Sequence, residues 1–498
     1  MEYAPAGLEV GAVSKGFCYE RHRPERTLLY QLVEQYYPDL ADLMAVQGKP
    51  LPGYVRREFE GYLKCGRLEH GFLRLHCDTC HTERLLAFSC KCRGFCPSCG
   101  ARRMAESAAL LVDEVLPQQP MRQWVLSVPF QLRFLFASQP TIMGKALGIV
   151  YRAISTHIVK KAGYRKTRAH TGAVTLIQRF GSALNLNVHL HMLFLDGVYV
   201  DDSKYGSAVR FQWIQPPTSE ELARLTHTIA KRIGRYLERQ GLLERDADHG
   251  YLNANTVEDE QDPMHQLHGS SVTYRVAVGP RQGRKVFTLQ TMPPSDPEEW
   301  VGKVDGFSLH AGVATKSHEG KKRERICRYI ARPPVSEQRL SLTRNGMVRY
   351  QLKTPYHDGT THVIFEPLDF ISKLAALVPK PRVNLTRLHG VFAPNSKYRA
   401  LVTPARRGKG RTVKIADAAE DKSPEERRAS MNWAQRLKRV FDIDVETCDQ
   451  CGGAVKVIAC IEDAVVIKKI LDHLQKQAVP EQRQLPESRA PPKGSNRS

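Results

Sequence analysis

Residues 188–197 read VHLHMLFLDG, an apolar run that contains a pair of histidines two positions apart. Side chains of a β-strand alternate between its faces, so His189 and His191 project to one side and Leu190 to the other. Two imidazoles on one face can share a divalent cation. Taken alone, the pair fits two ordinary buried histidines equally well. The stretch therefore predicts a buried strand that carries a candidate metal site.

A second apolar strand is predicted just upstream, at residues 172–180, and a turn-rich connection at 181–187 follows it. The two strands would form a β-hairpin that places Gln178 opposite or near His189. The amide oxygen of Gln178 could then complete the metal site, although a surface glutamine is the simpler alternative.

Residues 326–334 read ICRYIARPP and end a basic helix predicted at 319–330, because the Pro-Pro pair stops it. Arg325 and Arg332 lie at i−4 and i+3 from Tyr329 and share its helical face. Two guanidiniums would favour the anionic form of a phenol, whose usual pKa is about 10, and would clamp a phosphate. Attack by Tyr329 on a phosphodiester would leave a phosphotyrosine and a free hydroxyl. The alternative is a tyrosine that only packs against the sheet.

The charge of the chain points to a partner that bears phosphates. The 498 residues carry a formal net charge of +22, with a pI of about 9.5, and Lys and Arg recur along the whole sequence. A solvated basic surface is the alternative to nucleic-acid binding. No export signal and no apolar run of membrane-spanning length is visible, so we expect a cytoplasmic protein without membrane contact.

Twelve cysteines in a chain without an export signal indicate metal rather than disulfides. Two Cys-x2-Cys pairs separated by fifteen residues predict one structural zinc ion held in a tetrahedron by Cys77, Cys80, Cys96 and Cys99. Four thiolates fill the coordination sphere of zinc, so this site would leave no open position for catalysis. Arg102 and Arg103 follow directly and are expected to bind the DNA backbone.

A third Cys-x2-Cys pair lies near the end of the chain, at Cys448 and Cys451. It is half a zinc site, which would need Cys460, His473 or another segment to supply further ligands. The remaining cysteines of residues 65–92 are either ligands of a second site or small buried side chains.

The expected domains are distinguished by composition and element pattern. They are an N-terminal helical segment (1–62), a zinc-binding domain (63–105), a central domain that carries both histidines and Tyr329 (106–402), a charged linker (403–430), a C-terminal domain with a possible metal site (431–476) and a disordered tail (477–498). In and next to the central domain we expect helices at 105–115, 140–161, 217–244 and 370–378, with strands at 123–129, 270–292, 306–315 and 338–366. This mixture predicts an α+β fold.

Several motifs together resemble those of the rolling-circle transposases of the insertion-sequence 91 family, most closely its single-tyrosine common-region branch. The matching segments are the pairs Cys77/Cys80 and Cys96/Cys99 with FSCK at 88–91, HLH at 189–191 with LDGV at 195–198, RYIARPP at 328–334, DGTT at 358–361 and HGV at 389–391. These segments occur in order and span about residues 60 to 460. That family belongs to the HUH nucleases, which are marked by two histidines flanking a hydrophobic residue, so the resemblance implies that residues 106–402 are the nuclease domain.

The resemblance implies a ferredoxin-like antiparallel sheet and cleavage of single-stranded DNA at transposon ends. Tyr329 would form a 5′-phosphotyrosine and release a 3′-OH, and rejoining would be the reverse reaction. His189 and His191 would hold Mg²⁺ or Mn²⁺, with Gln178 or His310 as the third ligand. The arginines expected to bind DNA phosphates are Arg325, Arg328 and Arg332. The founding type of the family has a second tyrosine at the position of Arg325.

Two other classes of protein remain as alternatives. One is a non-catalytic, zinc-containing DNA-binding regulator, and the other is a tyrosine recombinase that needs no metal. Transposition would also require host replication proteins or a helicase, because no P-loop motif of the Gly-x4-Gly-Lys-[Ser/Thr] type is present in the sequence.

Overall fold

The computed structural model describes residues 23–201, 209–245, 250–252, 262–290, 301–406 and 446–478. The predicted linker beyond residue 406, the part of the predicted C-terminal domain before residue 446 and the predicted tail beyond residue 478 lie outside these ranges. No helix in the described part of the chain is long and apolar enough to cross a membrane.

The fold alternates helices with short strands. The helices are α1 (Leu28–Val46), α2 (Gly53–Lys64), α3 (Pro97–Leu110), α4 (Phe130–Ser138), α5 (Pro140–Lys161), α6 (Ser219–Arg239), α7 (Pro263–Val272), α8 (Gly320–Ile330), α9 (Pro367–Leu377), α10 (Arg399–Val402) and α11 (Ala464–Ala478). The strands are β1 (Phe72–Cys77), β2 (Glu83–Ala87), β3 (Met121–Ser127), β4 (Ala169–His170), β5 (Gly172–Phe180), β6 (Leu186–Leu195), β7 (Gly197–Asp201), β8 (Val209–Trp213), β9 (Leu243–Arg245), β10 (Gly250–Leu252), β11 (Phe287–Gln290), β12 (Val301–Val304), β13 (Phe307–Thr315), β14 (Leu340–Leu342), β15 (Val348–Gln351), β16 (Thr360–Phe365), β17 (Thr386–Gly390) and β18 (Val455–Ile461).

The largest sheet has six strands in the order β12-β13-β3-β6-β5-β17, and all its pairings are antiparallel. The histidine strand β6 is therefore internal, between β3 and β5. His189 lies opposite Gln178 of β5, as the predicted hairpin requires. On the other side, His191 lies opposite Val125 of β3.

The two faces of this sheet are covered by different helices. Leu190, Met192 and Phe194 belong to a core shared with α4, α5 and α6. Leu193 and Leu195, on the histidine side of β6, pack in a separate core with α3 and α8. The alternation of the strand thus directs the imidazoles toward the helix that carries Tyr329.

A smaller antiparallel sheet, in the order β18-β1-β2, forms the zinc-binding region. The edge strand β18 comes from the predicted C-terminal domain, whereas the central strand β1 and the other edge strand β2 come from the predicted zinc-binding domain. The predicted α+β class is confirmed, since the fold mixes helices with antiparallel sheets. The ferredoxin-like topology and the domain boundaries remain predictions.

The prediction of strand structure over residues 270–292 is wrong in its first half. Within residues 270–290, the part of this stretch that the structure describes, α7 continues to Val272 and the strand β11 begins at Phe287. The start of α7 has a local signal that apolar periodicity does not register. Pro263 begins the helix, and the carboxylate of Asp262 accepts a hydrogen bond from the backbone N–H of Met264. The helix predicted at 105–115 also begins earlier, at Pro97.

Candidate active site and zinc clusters

The two histidines of β6 lie side by side on the sheet face that α8 covers. Their ring centroids are 4.8 Å apart and the rings are nearly perpendicular. The Nδ1–H of His189 donates to the backbone carbonyl of Asn187 at 2.8 Å, which leaves Nε2 of His189 with its lone pair. The Nδ1 of His191 lies 2.9 Å from Nε2 of Gln123, which is a donor, so in this arrangement Nδ1 accepts and the proton of neutral His191 is on Nε2. Binding of a cation at that Nε2 requires the Gln123 amide to turn over, so that its oxygen accepts from Nδ1–H. Each ring is oriented by a hydrogen bond at Nδ1.

The electrostatics of the pair suit a bound cation. Burial lowers the pKa of His189 to about 4 and that of His191 to about 2, and the positive charge of Arg332 adds to both effects. Both imidazoles are therefore neutral at physiological pH, the form that binds metal. Among the described residues, the buried Nε2 of His191 has no hydrogen-bond partner. A buried nitrogen left without a partner fits a ligand atom of a divalent ion.

Tyr329 occupies the last turn of α8, directly over the histidines. Its ring centroid is 6.3 Å from that of His191, with an interplanar angle of 89°. Tyr329 is 41% exposed, so a bulky substrate has access to this residue. The guanidinium carbon of Arg332 is 4.2 Å from the ring centroid and Nζ of Lys353 is 4.6 Å from it. The phenol therefore lies between the imidazoles and two cations.

The two candidates for a third ligand lie at different places in the sheet. Gln178 is buried directly beside His189, and its Nε2 donates to the backbone carbonyl of Ile330 at 3.1 Å. His310 lies on β13, opposite Val125 of β3, so it is two strand spacings, about 10 Å between Cα atoms, from His191. The sheet thus brings Gln178 to the pair and separates His310 from it.

Two residues that contact the site, Gln123 and Lys353, were not predicted from the sequence. Gln123 lies in β3, which reads MRQWVLS, next to the equally polar Arg122, so the local sequence carried no specific signal for it. Lys353 follows β15 and reaches Tyr329 only through the tertiary fold, so no local pattern indicated it.

The predicted phosphate-binding arginines lie in different environments. Arg332 contacts the Tyr329 ring, whereas Arg325 is exposed one turn earlier and Arg328 is half-buried. The Nε of Arg102 donates to Glu106 at 3.0 Å. Arg103 donates to the carbonyls of Lys91 and Cys92 at 2.9 and 3.1 Å, which gives it a structural role in that loop.

The structure divides the four cysteines predicted to hold one zinc ion between two clusters. Cys96 and Cys99 combine with Cys65 and Cys90, and we refer to these four as the inner cluster. Cys77 and Cys80 instead combine with Cys448 and Cys451, and these four form the outer cluster. The prediction that Cys77, Cys80, Cys96 and Cys99 hold one zinc ion together is therefore wrong. The β1–β2 hairpin carries Cys77 and Cys80 away from the start of α3, which holds Cys96 and Cys99.

The inner cluster has the dimensions of a zinc site. Its sulfur atoms are 3.6 Å apart for Cys65 and Cys99, 3.4 Å for Cys90 and Cys99, and 3.8 Å for Cys65 and Cys96. Thiolates at about 2.3 Å from a tetrahedral zinc ion are about 3.8 Å apart. The four residues therefore fit a structural zinc ion.

Comparison with protein families gives two matches. Residues 172–399 match a family model described as "Putative transposase". Residues 32–128 match a model described as "Transposase zinc-binding domain" of the insertion-sequence 91 type. No curated protein and no solved structure was found to match the chain.

These matches indicate a transposase that carries a zinc-binding domain, and membership of a transposase family implies DNA cleavage and strand transfer. The first match contains β6 and α8, and the second contains all four residues of the inner cluster. Together they support a transposase of the insertion-sequence 91 family.

Proposed function

We propose that this protein is a rolling-circle transposase that nicks and rejoins single-stranded DNA at transposon ends. Tyr329 is the nucleophile, and His189 and His191 hold Mg²⁺ or Mn²⁺ with Gln178 as the third ligand. The observation that carries this proposal is the position of the Tyr329 ring, 6.3 Å from that of His191 and accessible to solvent.

In the proposed reaction, the phenolic oxygen of Tyr329 attacks the phosphorus of the scissile phosphodiester. The bond from phosphorus to the 3′ oxygen breaks, and the phenolic proton is balanced by protonation of the leaving 3′ oxygen. The products are a 5′-phosphotyrosine and a free 3′-OH, and rejoining reverses these steps. A divalent ion, when bound, supplies Lewis-acid stabilisation of the phosphate charge.

The residues of the chain provide positioning and electrostatics. Asn187 and Gln123 fix the orientations of the imidazoles through Nδ1. Arg332 also donates to the backbone carbonyl of Tyr329 at 3.2 Å, so its guanidinium is held beside the reacting phenol. Arg332 and Lys353 thereby provide positive charge where a phosphate would approach Tyr329.

The direct test is covalent capture on single-stranded oligonucleotides from the ends of the element that encodes the protein. With Mn²⁺, the wild type should form an adduct that mass spectrometry maps to Tyr329. Tyr329→Phe should bind the same DNA and form no adduct. Binding without any wild-type adduct would instead support the non-catalytic regulator. Cleavage that persists after selective removal of the divalent ion, with zinc retained, would support a tyrosine recombinase.

A further inference from the structure

The outer cluster joins two Cys-x2-Cys segments that are far apart in sequence. Cys77 and Cys451 have their sulfur atoms 3.4 Å apart, and those of Cys80 and Cys448 are 3.6 Å apart. All four sulfur atoms lie within 4.8 Å of one another. This spacing is close to the roughly 3.8 Å expected between thiolates of a tetrahedral zinc site.

The backbone around the C-terminal pair is folded for this approach. The N–H of Gly452 donates to the carbonyl of Cys448, and the N–H of Cys448 donates to the carbonyl of Gly453, both at 2.8 Å. A Cβ atom on Gly453 would lie 2.3 Å from Oγ1 of Thr79. Glycine therefore lets this loop pack directly against the loop between Cys77 and Cys80.

Outside the cluster, the two segments meet through the pairing of β18 with β1 and through α11, which packs against residues 68–70 and buries Ile467. β18 pairs with β1 from Ile461 opposite Phe72 to Val455 opposite Cys77. An ion pair joins Lys456 to Asp78 at 2.6 Å. Apolar side chains on β18, such as Val457 and Ile458, are half or more exposed, so β18 buries little apolar surface. Small units of this kind usually depend on a metal or another cross-link for stability.

The two clusters differ in their access to solvent. In the inner cluster Cys65, Cys96 and Cys99 are buried and Cys90 is half-buried. In the outer cluster Cys80 and Cys451 are exposed. A chelator therefore reaches the outer cluster first. The match to the zinc-binding domain ends at residue 128, so it contains only half of the outer cluster.

We propose that Cys77, Cys80, Cys448 and Cys451 hold a second zinc ion, which docks the C-terminal segment 446–478 onto the zinc-binding domain. This ion is the more readily removed of the two. The C-terminal segment is thus held to the zinc-binding domain by the metal as well as by the covalent backbone, and its docking depends on zinc. The proposal requires no assumption about Tyr329 or the histidines.

The first test is metal content in the full-length protein. The wild type should contain two zinc ions per chain, and the double variant Cys448→Ser/Cys451→Ser should contain one. Cys460→Ser is the matched control, because Cys460 is exposed on the same segment outside the cluster and should leave both ions. Cys451→His keeps a zinc ligand and should retain two ions. One ion in the wild type, or two in the double variant, would overturn the proposal.

The second test asks whether zinc holds the segment in place. A protease-recognition sequence is inserted within residues 407–445 of the full-length chain, and the zinc-loaded protein is cut. The C-terminal fragment should co-elute with the remainder on gel filtration, then dissociate when mild chelation removes one zinc ion. Cobalt substitution gives a readout independent of folding, since the thiolate charge-transfer absorption should halve in the double variant. A fragment that stays docked after loss of the outer ion would contradict the docking role, and two disulfides in place of metal would contradict the site.

Discussion

Gln178 connects the two halves of the candidate active site, because its side-chain amide donates to the backbone carbonyl of Ile330 at 3.1 Å. Ile330 ends α8 and directly follows Tyr329, while Gln178 lies opposite His189 on the neighbouring strand. One buried side chain therefore relates the end of the tyrosine helix to the histidine strand. Gln178 thus combines the position proposed for a metal ligand with a hydrogen bond to the end of the tyrosine helix.

Substitutions at Gln178 separate these roles. Gln178→Glu keeps an oxygen ligand but cannot donate to Ile330 at neutral pH. If positioning dominates, this variant should lose about 10- to 100-fold in single-turnover cleavage, since small displacements of a reacting group cost that much. The Mn²⁺ concentration for half-maximal rate should then be unchanged. An active Glu variant with altered Mn²⁺ dependence would show that the oxygen ligand matters more, and Gln178→Leu, which removes both functions, sets the lower limit.

The cations beside Tyr329 give a second prediction. Arg332→Ala should lower the rate of adduct formation by about 10- to 100-fold, because it removes both the contact with the ring and the donor to the Tyr329 carbonyl. Lys353→Ala should have a smaller effect in the same direction. Arg325→Ala is the control, because Arg325 is exposed on the preceding turn. Single-turnover assays on one labelled oligonucleotide measure all three, and an equal loss at Arg325 would restore the sequence-based view of that residue.

Much of this site follows from local sequence. The alternation of VHLHMLFL fixed the face of both histidines, and the strand predicted at 172–180 agrees with β5 at both ends. The helix predicted at 140–161 agrees with α5. These elements are specified by periodicity within one segment, which sequence displays directly.

Apart from the strand predicted at 270–292, the errors concern combinations of distant segments. The spacing of a Cys-x2-Cys pair indicates that the pair binds metal. Because several pairs have the same spacing, the spacing does not show which pairs share one metal ion. Cys65 and Cys90 lie outside any such pair and join Cys96 and Cys99 only in three dimensions. The contact between Gln123 and His191 depends similarly on the order of strands in the sheet.

A buried ion pair stabilises the sheet beside the histidines and gives a prediction for stability. The guanidinium of Arg122 donates two hydrogen bonds to the carboxylate of Asp196, at 2.9 and 2.8 Å. Its third nitrogen donates to the backbone carbonyl of Ala311. The pair thereby links β3, the end of β6 and β13. Asp196→Asn should destabilise the fold by about 3–5 kcal/mol, because it leaves a buried guanidinium without its counter-charge.

Thermal unfolding measures this effect, with Glu220→Gln as the control. Glu220 pairs with Arg224 on the exposed surface of α6, where an ion pair contributes less than about 1 kcal/mol. We expect a lower unfolding temperature by several degrees for Asp196→Asn and little change for Glu220→Gln. Equal midpoints for the two variants would show that the buried pair does not stabilise the sheet.

The last prediction concerns the pH dependence of stability. His389 stacks on Tyr151 with ring centroids 4.7 Å apart, and burial lowers the pKa of His389 to about 4, with a further contribution from Arg387. In the unfolded chain its pKa is about 6.5, so below that pH the unfolded state binds the proton more readily. The contribution of His389 to the free energy of unfolding is therefore fully present above about pH 6.5, and it is lost as the pH falls toward about 4.

His389→Phe keeps an aromatic ring against Tyr151 and removes the titration. The wild type should lose up to roughly 3 kcal/mol more than this variant between pH 7 and pH 4, a value that follows from about 1.4 kcal/mol per pKa unit. Urea unfolding of both proteins across this range measures the difference, and the comparison cancels the loss of zinc that acid causes in both. Parallel curves for the two proteins would mean that His389 titrates alike in the folded and unfolded chains.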